Sequence, residues 1–461
     1  MTTEYTDLTT GDLIEELREA VSGRVVGPAD AEYDAERLAW HLLAVQYPAA
    51  IVHVAGVEDV QAAVRLARRH RLTVGAQPVG HGATEATSGG MILLRTGALN
   101  GIDLGRSDQG EDVVRVGAGV RWRDLNKALA GTGLTSLPGS SGDPSVVGYI
   151  LGGGLSWFSR KWGQAAHHVR AIELVDAEGH HLRVTKDAFP DLFWALRGGG
   201  GEFAIVTALE LELLPAPQLY GGRMMWFAEH SRELLRAFAT VTETAPDELT
   251  LWAWLINMPD VDFVPEPMRG RWMVAIDSTF LGDGEDAEKL LAPIRAVAEP
   301  LLDGVGEVPI DRVAEIAQEP EDPMPAIGRI RLLTEFREPA IDALIELAVD
   351  GPTPVALIEV RHLGGGFARA ADGDGAAGTI DEPYLLLLGG MAMTPELAPL
   401  VEAGISAIAD GMDPWISDRV PPNLAVHEPV ERLYPAGTLA RLRDIKRRVD
   451  PSGVIRGNHP L

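Results

Sequence analysis

The 461-residue chain has no cysteine. That excludes disulfides, thiolate nucleophiles and cysteine-based metal sites. It also lacks any apolar run of about 18 residues, the length needed to span a bilayer as a helix. Its first residues hold no apolar stretch behind a basic start; Glu4, Asp7, Asp12, Glu15 and Glu16 argue against a signal peptide, so a cytoplasmic chain with no membrane partner is expected. Basic residues are scarce, 40 Lys and Arg against 67 Asp and Glu, for a formal charge of -27. Phosphate backbones and anionic lipids need clustered positive surface, so this balance disfavours nucleic acid and membrane partners and is most simply read as solubility.

Glycine is abundant, at 51 residues, which implies many tight turns and close backbone approaches. Apolar residues make up 46% and charged residues 23%, an ordinary globular balance, and the length calls for two domains. Three glycine-rich segments stand out: Gln77-Pro78-Val79-Gly80-His81-Gly82-Ala83-Thr84, Leu151-Gly152-Gly153-Gly154-Leu155 and Arg197-Gly198-Gly199-Gly200-Gly201. Gly80, Gly82 and Gly152 to Gly154 can present backbone N–H groups to an anion without side chains in the way.

Around them, local periodicity sets the elements. Leu13 to Leu17 reads as a short amphipathic helix and Ala50 to Val54 as an apolar strand. Val57, Val60, Val64 and Ala67 recur at helical spacing, with Glu58 and Asp59 in the first turn and Arg68, Arg69 and Arg71 in the last, which suits the helix dipole. Leu72 to Val74 starts the next strand. This makes a βαβ unit, and Gly80-His81-Gly82 leaves its second strand. Further on, Val113 to Val116 predicts a strand, Trp122 to Ala130 a helix, Ile172 to Val175 and His181 to Val184 a hairpin, and Phe203 to Leu214 a long strand ending at Pro215. Beyond Pro215-Ala216-Pro217, strands at Leu249 to Ile256, Trp272 to Phe280, Val355 to Arg361 and Tyr384 to Leu388 alternate with helices near 231–243, 285–298 and 339–349, which predicts an antiparallel sheet with helices on one face. Gly364 to Gly378 reads as a mobile loop, and Leu439 to Val449 as a basic amphipathic helix stopped by Asp450-Pro451.

Residues 40–217, and the tail Ile445 to Pro460, resemble bacterial berberine-bridge-enzyme-like FAD-linked oxidases of the vanillyl-alcohol-oxidase, PCMH-type flavoprotein superfamily; Glu359 to Gly365 resembles the family more loosely. The resemblance implies an α+β fold: a PCMH-type FAD-binding domain of α/β subdomains, and an antiparallel-sheet substrate domain covered by helices. The corresponding division is a helical segment at 1–42, the FAD domain at 43–217, the substrate domain at 218–412, and a segment at 413–461 returning to the FAD domain. It also implies FAD as cofactor, attached through His81 to the flavin 8α carbon; the other reading of His81 is a loop histidine packed on the cofactor. The cofactor contacts it implies are Gly80, His81, Gly82, Ala83, Ser141, Val146, Val147, Gly148, Gly152, Gly153, Gly154, Val206, Asn423 and Asn458, with Tyr434 a lesser candidate. Ser141 stands where some relatives use a cysteine for a second attachment, so a cysteinyl link is excluded here and a wider cleft is expected. Val146 or Val147 is placed on the oxygen approach. Gly198 to Gly201 is either a helix-to-strand connection or a flavin contact. Departures from the family pattern fall at Asp143, His167 and Glu202; a metal at His167-His168 is disfavoured because neighbours on a strand point to opposite faces.

Oxidation of an alcohol, lactol or amine, in secondary metabolism, is the activity implied, with hydride passing to flavin, O2 as the oxidant, and a small molecule and O2 as the partners of a monomer or homodimer. Such chemistry needs a proton acceptor. Glu359, His362 and Tyr384 are the catalytic candidates, with Arg361 beside them and Trp252 and Trp254 as walls. Period two puts Glu359 and Arg361 on one face and His362 on the other. The competing readings are an ion pair for Glu359 and Arg361 and core packing for His362 and the tryptophans. A dehydrogenase with another acceptor, or a redox-neutral flavin-binding cyclase or isomerase, are the alternative functions.

Overall fold

The computed structural model describes residues 10–84, 90–107, 109–216, 218–262, 264–351, 354–371 and 373–461. Residue 217, the expected end of the FAD domain, lies outside them.

The βαβ unit forms where the periodicity places it. Strand β1 (Arg24–Val26) pairs antiparallel with β2 (Ala50–His53), and β2 and β3 (Thr73–Ala76) flank β4 (Met91–Arg95) in parallel, giving the order β1-β2-β4-β3. Helix α2 (Val57–His70) follows α1 (Thr10–Ala20) and buries Val60, Ala63, Val64 and Ala67 completely against that sheet. Four fully buried small aliphatics on one stripe are enough to dock a helix of this length. It ends at Arg71, whose φ of 56° breaks the helical path.

Residues from Thr10 onward pack on this sheet. Leu13, Ile14 and Leu17 of α1 join the same core. The buried Asp59 carboxylate accepts from the backbone N–H of Ser22 (2.8 Å), Gly23 (3.0 Å) and Ala55 (2.7 Å), tying the α1–β1 turn to α2.

A second sheet has the order β5-β6-β9-β7-β8, with β5 (Ile102–Arg106), β6 (Asp112–Gly117), β7 (Val169–Val175), β8 (His181–Val184) and β9 (Ile205–Glu212), all antiparallel. The third sheet is the largest: β10 (Leu219–Phe227), β11 (Leu249–Asn257), β12 (Trp272–Leu281), β13 (Ala326–Leu333), β14 (Leu357–His362) and β15 (Tyr384–Met391) run in the order β10-β12-β11-β14-β15-β13, extended beside β10 by two short strands. One face carries Leu251, Ala253, Val360 and Leu386 into a core shared with the helices Ser231–Thr244, Glu338–Ala348 and Leu397–Gly411; the other carries Met225, Trp252, Trp254 and Leu385 toward the first half of the chain.

Two cations, Arg160 buried and Lys446 partly buried, fasten the halves and the tail. The Arg160 guanidinium, 4% exposed, donates to the carbonyls of Leu249 (2.7 Å), Ala245 (3.1 Å), Pro246 (3.2 Å) and Leu363, which satisfies a charge that could not otherwise sit there. Lys446, on the helix Ala436–Val449, donates to Glu202 O (2.6 Å), Ile455 O (2.7 Å) and the Asp450 carboxylate (2.7 Å), and the chain beyond it bonds to β3 through Val74.

Gly364 to Gly378, outside residue 372, is bonded to the first half of the chain at several points. Gln164 Nε2 donates to Gly378 O (2.7 Å), Arg197 to Gly373 O (2.5 Å), and Ala376 and Ala377 N–H to the carbonyls of Trp194 and Arg197 (both 3.0 Å). Its small residues reflect close approach: a Cβ on Gly375 would lie 2.3 Å from Arg197 O.

Candidate active site

The turn after β3 cannot be built without glycine. Gly80 has φ of +100°, and a Cβ there would stand 2.8 Å from the Ala39 side chain. The carbonyls of Val79 and Gly80 accept from the N–H groups of Trp40 (3.1 Å) and His41 (3.2 Å), so the N-terminal segment clasps the turn from outside. Trp40 in turn stacks on His81, ring centroids 4.1 Å apart and planes inclined by 22°. His81 Nε2 lies 2.8 Å from Asp143 Oδ2, and the other oxygen of Asp143 is held by Arg121 and by Arg123 at 3.2 Å.

His81 lies in the wall of a cavity of about 1250 Å³ between the large sheet and the FAD domain. That exceeds the roughly 300–1,000 Å³ of a drug-sized site and leaves room for a dinucleotide with a substrate beside it. Gly80, Gly82, Ala83, Ser141, Val147, Gly148, Gly152, Val206, Asn423, Asn458 and Tyr434 line it with His81, as do Gly200 and Gly201 of the third glycine segment. Gly198 and Gly199 of that segment are structural, packed on Ala377 and on Ala195 O.

Three expected contacts do not reach the cavity. Val146 is fully buried, its N–H bonded to Val120 O (2.9 Å), while Gly153 and Gly154 pack behind the wall, where Cβ atoms would meet Gln164 and Ala165 at 2.6 Å. Gly154 acts one step removed: its N–H donates to Asn423 Oδ1 (2.6 Å), which sets Asn423 against Gly152.

The large sheet supplies the opposite wall, with Trp254, Leu357, Glu359, Arg361 and Leu387. Glu359 is fully buried; Arg361 Nε donates to its Oε1 (2.7 Å) and Oε2 has no partner among the described residues. Burial pushes the Glu359 carboxyl up to about 8, with Arg361 working against the rise and Glu319 adding to it. Arg361 also sits over the Trp252 ring (4.0 Å) and 3.5 Å from Glu319, so both the ion pair and the cavity position of Glu359 are real. Trp254 forms wall, while Trp252 stacks on Trp157 in the core.

His362 and Tyr384 are not brought to this cavity. They pair across β14 and β15 on the helix-covered face, where Tyr384 Oη bonds Thr242 Oγ1 (2.7 Å) among Phe238 and Phe336. Burial, with Arg160 nearby, holds His362 well below the usual histidine range, so it is a neutral core residue. Tyr384→Phe is therefore expected to leave turnover unchanged and to cost about 1 kcal/mol in denaturant unfolding, the value of one neutral hydrogen bond. His167 and His168 lie in a 3-10 turn rather than a strand, facing Asp374 (3.5 Å) and Glu212 (3.0 Å).

The donor set fits FAD. Gln77 Nε2 and Tyr149 Oη, like Glu359 Oε2, are buried polar atoms of lining residues without a partner among the described residues, and buried polar groups left so ask for a ligand. Gly200, with φ of +82°, has open space where a side chain would point. Gly80 to Ala83, Gly152, Gly200 and Gly201 would hold the dinucleotide, with Gln77 and Asn458 beside them.

Fold and site thus define a two-domain protein whose large sheet walls a glycine-lined cavity that fits FAD. Residues 48–185 match the FAD binding domain family. The whole chain superposes on a berberine-bridge-enzyme-like protein of Physcomitrella patens with a TM-score of 0.83, 18% identity and 98% of both chains covered. It is 25% identical to the (R)-6-hydroxynicotine oxidase of Paenarthrobacter nicotinovorans over 96% of this chain and 97% of that one. It is 34% identical to the FAD-dependent monooxygenase tpcD of Cochliobolus heterostrophus over 44% of this chain, a match that spans only 39% of the fungal protein's length. The chain thus carries an FAD-binding domain, shares the fold of the berberine-bridge-enzyme-like proteins, and is similar along its length to an FAD-linked oxidoreductase.

Some site residues were invisible to pattern reading. Trp40 carries no local signal, since its role depends on a contact with His81 across the chain. Asp143 had one: a lone acid inside the Gly, Ser and Pro run that leads to a glycine triplet.

Proposed function

We propose that the protein oxidises a small organic alcohol, lactol or amine of secondary metabolism, with FAD attached through His81 and O2 as the final electron acceptor. When bound, FAD supplies the hydride acceptor. The observation that carries the reading is the Glu359 carboxyl: fully buried, with one oxygen unpartnered among the described residues, in the wall of the same cavity that His81 lines. A proton acceptor for the substrate's O–H or N–H must be desolvated, close to the bound substrate and raised toward neutrality, and Glu359 meets those conditions. Arg361 orients it through Oε1 and leaves Oε2 to take the proton. Trp254, fixed by its Nε1–H bond to Asp277 (2.8 Å), and Leu387 exclude water beside it. Val147, which lines the cavity, stands on the proposed oxygen path, and Val146 does not. The 6-hydroxynicotine oxidase among the relatives supports oxidation of a small amine.

The test is a denaturing gel viewed for flavin fluorescence, with wild type and His81→Ala side by side, followed by peroxide release in a substrate screen. A fluorescent wild-type band, dark in the variant, is expected. A yellow native protein whose wild-type band is dark refutes attachment, and flavin that no substrate pool bleaches without oxygen refutes oxidation.

A further inference from the structure

We infer that Glu319 is a positioning residue for the proposed oxidation: it shares the Arg361 guanidinium with Glu359, and so sets how firmly the arginine holds Glu359 as an anion. The inference rests on the proposal that Glu359 accepts the substrate's proton, and adds the group that governs when it can.

Arg361 donates from Nε to Glu359 Oε1 at 2.7 Å, and its Nη2 lies 3.5 Å from Glu319 Oε1, so one cation serves two acids in the wall of one cavity. The surrounding charges do not relieve this shortage. From β12 and β10, Asp277 and Arg223 face the same spot, but two parallel bonds join them and their charges cancel. From the FAD domain Tyr149 faces Arg361; burial holds its phenol well above the usual range, so it brings no charge. Three carboxyls thus stand against two guanidinium groups, and in a dry wall the odd one keeps a proton rather than an unpaired charge. Burial decides which. The Glu359 side chain is 0% exposed and that of Glu319 28%, so water solvates Glu319 and the proton stays on Glu359.

The backbone aims Glu319 at this wall. Ile316 and Ala317 are buried anchors, and Gln318, with φ of +52°, turns the chain through the left-handed region that a side chain other than glycine adopts at a cost. On the far side Glu321 is held by Arg123 (2.6 Å) and its carbonyl accepts from Trp40 Nε1 (2.9 Å). The carboxyl therefore enters the cavity from a segment fixed at both ends. Removing its charge leaves Arg361 to Glu359 alone, and the Glu359 anion then forms at lower pH. Burial pushes that carboxyl up to about 8 in the intact protein, with Glu319 and Asp277 adding to the rise and Arg361 opposing it.

The test is Glu319→Gln holoenzyme, read in two ways. Infrared titration follows the protonated Glu359 carboxyl, identified as the band missing from Glu359→Gln, and needs no substrate. The band is expected to disappear at lower pH than in wild type. In turnover, kcat/KM on the acid side of the limb should rise about 3- to 10-fold, the effect of losing one like charge that water partly screens. Glu319→Asp, which keeps the charge, should return both readings to wild type. A band and a limb that stay in place or move to higher pH overturn the inference, as does a rate lowered equally at every pH, which marks a merely structural residue. A limb that vanishes makes Glu319 itself the acceptor and overturns it too, and so does failure of both variants to fold. A shifted band in a protein whose flavin no substrate bleaches refutes the oxidation and leaves the coupling of the two acids standing, which tells the two failures apart.

Discussion

Glu359→Gln lowers the rate of substrate oxidation by about 10²- to 10⁴-fold, the usual range for removing a general base, with flavin content and KM little changed. Glutamine keeps the shape of the side chain and can still accept from Arg361 through its amide oxygen. It does not strand a charge, because Arg361 retains Glu319 at 3.5 Å. The loss should therefore appear in anaerobic flavin bleaching, a direct reading of hydride transfer, rather than in stability. The pH dependence carries the same signature. The carboxyl is pushed up to about 8 by burial, so the competent anion grows in as pH rises, and kcat/KM of the wild type should climb with an apparent pKa near 8. That limb should vanish in the variant. Stability runs the other way. The folded protein keeps this proton to about pH 8 while an unfolded glutamate loses it near 4.5, so the folded state binds more protons and loses stability as pH rises across that window. A variant with the wild-type bleaching rate and an unchanged pH limb removes Glu359 from the chemistry.

Much of the fold was legible because its signals are local. The stripe Val60, Val64, Ala67 and its neighbour strands are short-range patterns, and α2, β2 and β3 follow them within a residue or two. The strand Leu219–Phe227 escaped the same reading because Gly221 and Gly222 interrupt it; they are there because neighbouring strands leave no room, a Cβ on Gly221 lying 2.1 Å from Ser278 O. The strand Ala326–Leu333 was hidden by Arg329 and Arg331, charges that belong to a sheet edge and find Glu402 and Glu428. The site divides in the same way. That Glu359 and His362 take opposite faces follows from period two; which face meets the cavity is decided by the helices that cover Val360, His362 and Tyr384, and no pattern within the strand records that. The histidine between two glycines was legible as chemistry, yet its partners Trp40 and Asp143 come from 41 residues before and 62 residues after it, joined only by the fold.

Asp277→Ala is expected to destabilise the protein by about 3–5 kcal/mol, the cost of leaving a buried charge without its partner. Asp277 is fully buried on β12, and Arg223 on β10 reaches it through two parallel bonds, Nε to Oδ1 at 2.6 Å and Nη2 to Oδ2 at 2.7 Å, with the Arg223 side chain only 8% exposed. Burial keeps the Asp277 carboxyl above its ordinary range even against this arginine, a sign of how dry the site is. Removing the acid leaves a guanidinium with no water to turn to, and frees Trp254 from its bond to Oδ2, so the cavity wall loosens with the core. Denaturant unfolding should show a large fall in midpoint, and KM should rise with the displaced wall. The pair as a whole is not what makes the sheet stable, however: two charges brought out of water return little beyond their desolvation cost, so Arg223→Met with Asp277→Leu should recover most of the loss. The exposed pair Arg115–Glu173 supplies the contrast. It has equally short bonds of 2.6 and 2.7 Å, but Arg115 is 39% exposed, and breaking it should cost no more than about 1 kcal/mol because water takes over. An Asp277→Ala loss as small as that would mean solvent reaches Arg223, and the dry wall that desolvates Glu359 on the same face would then be open as well.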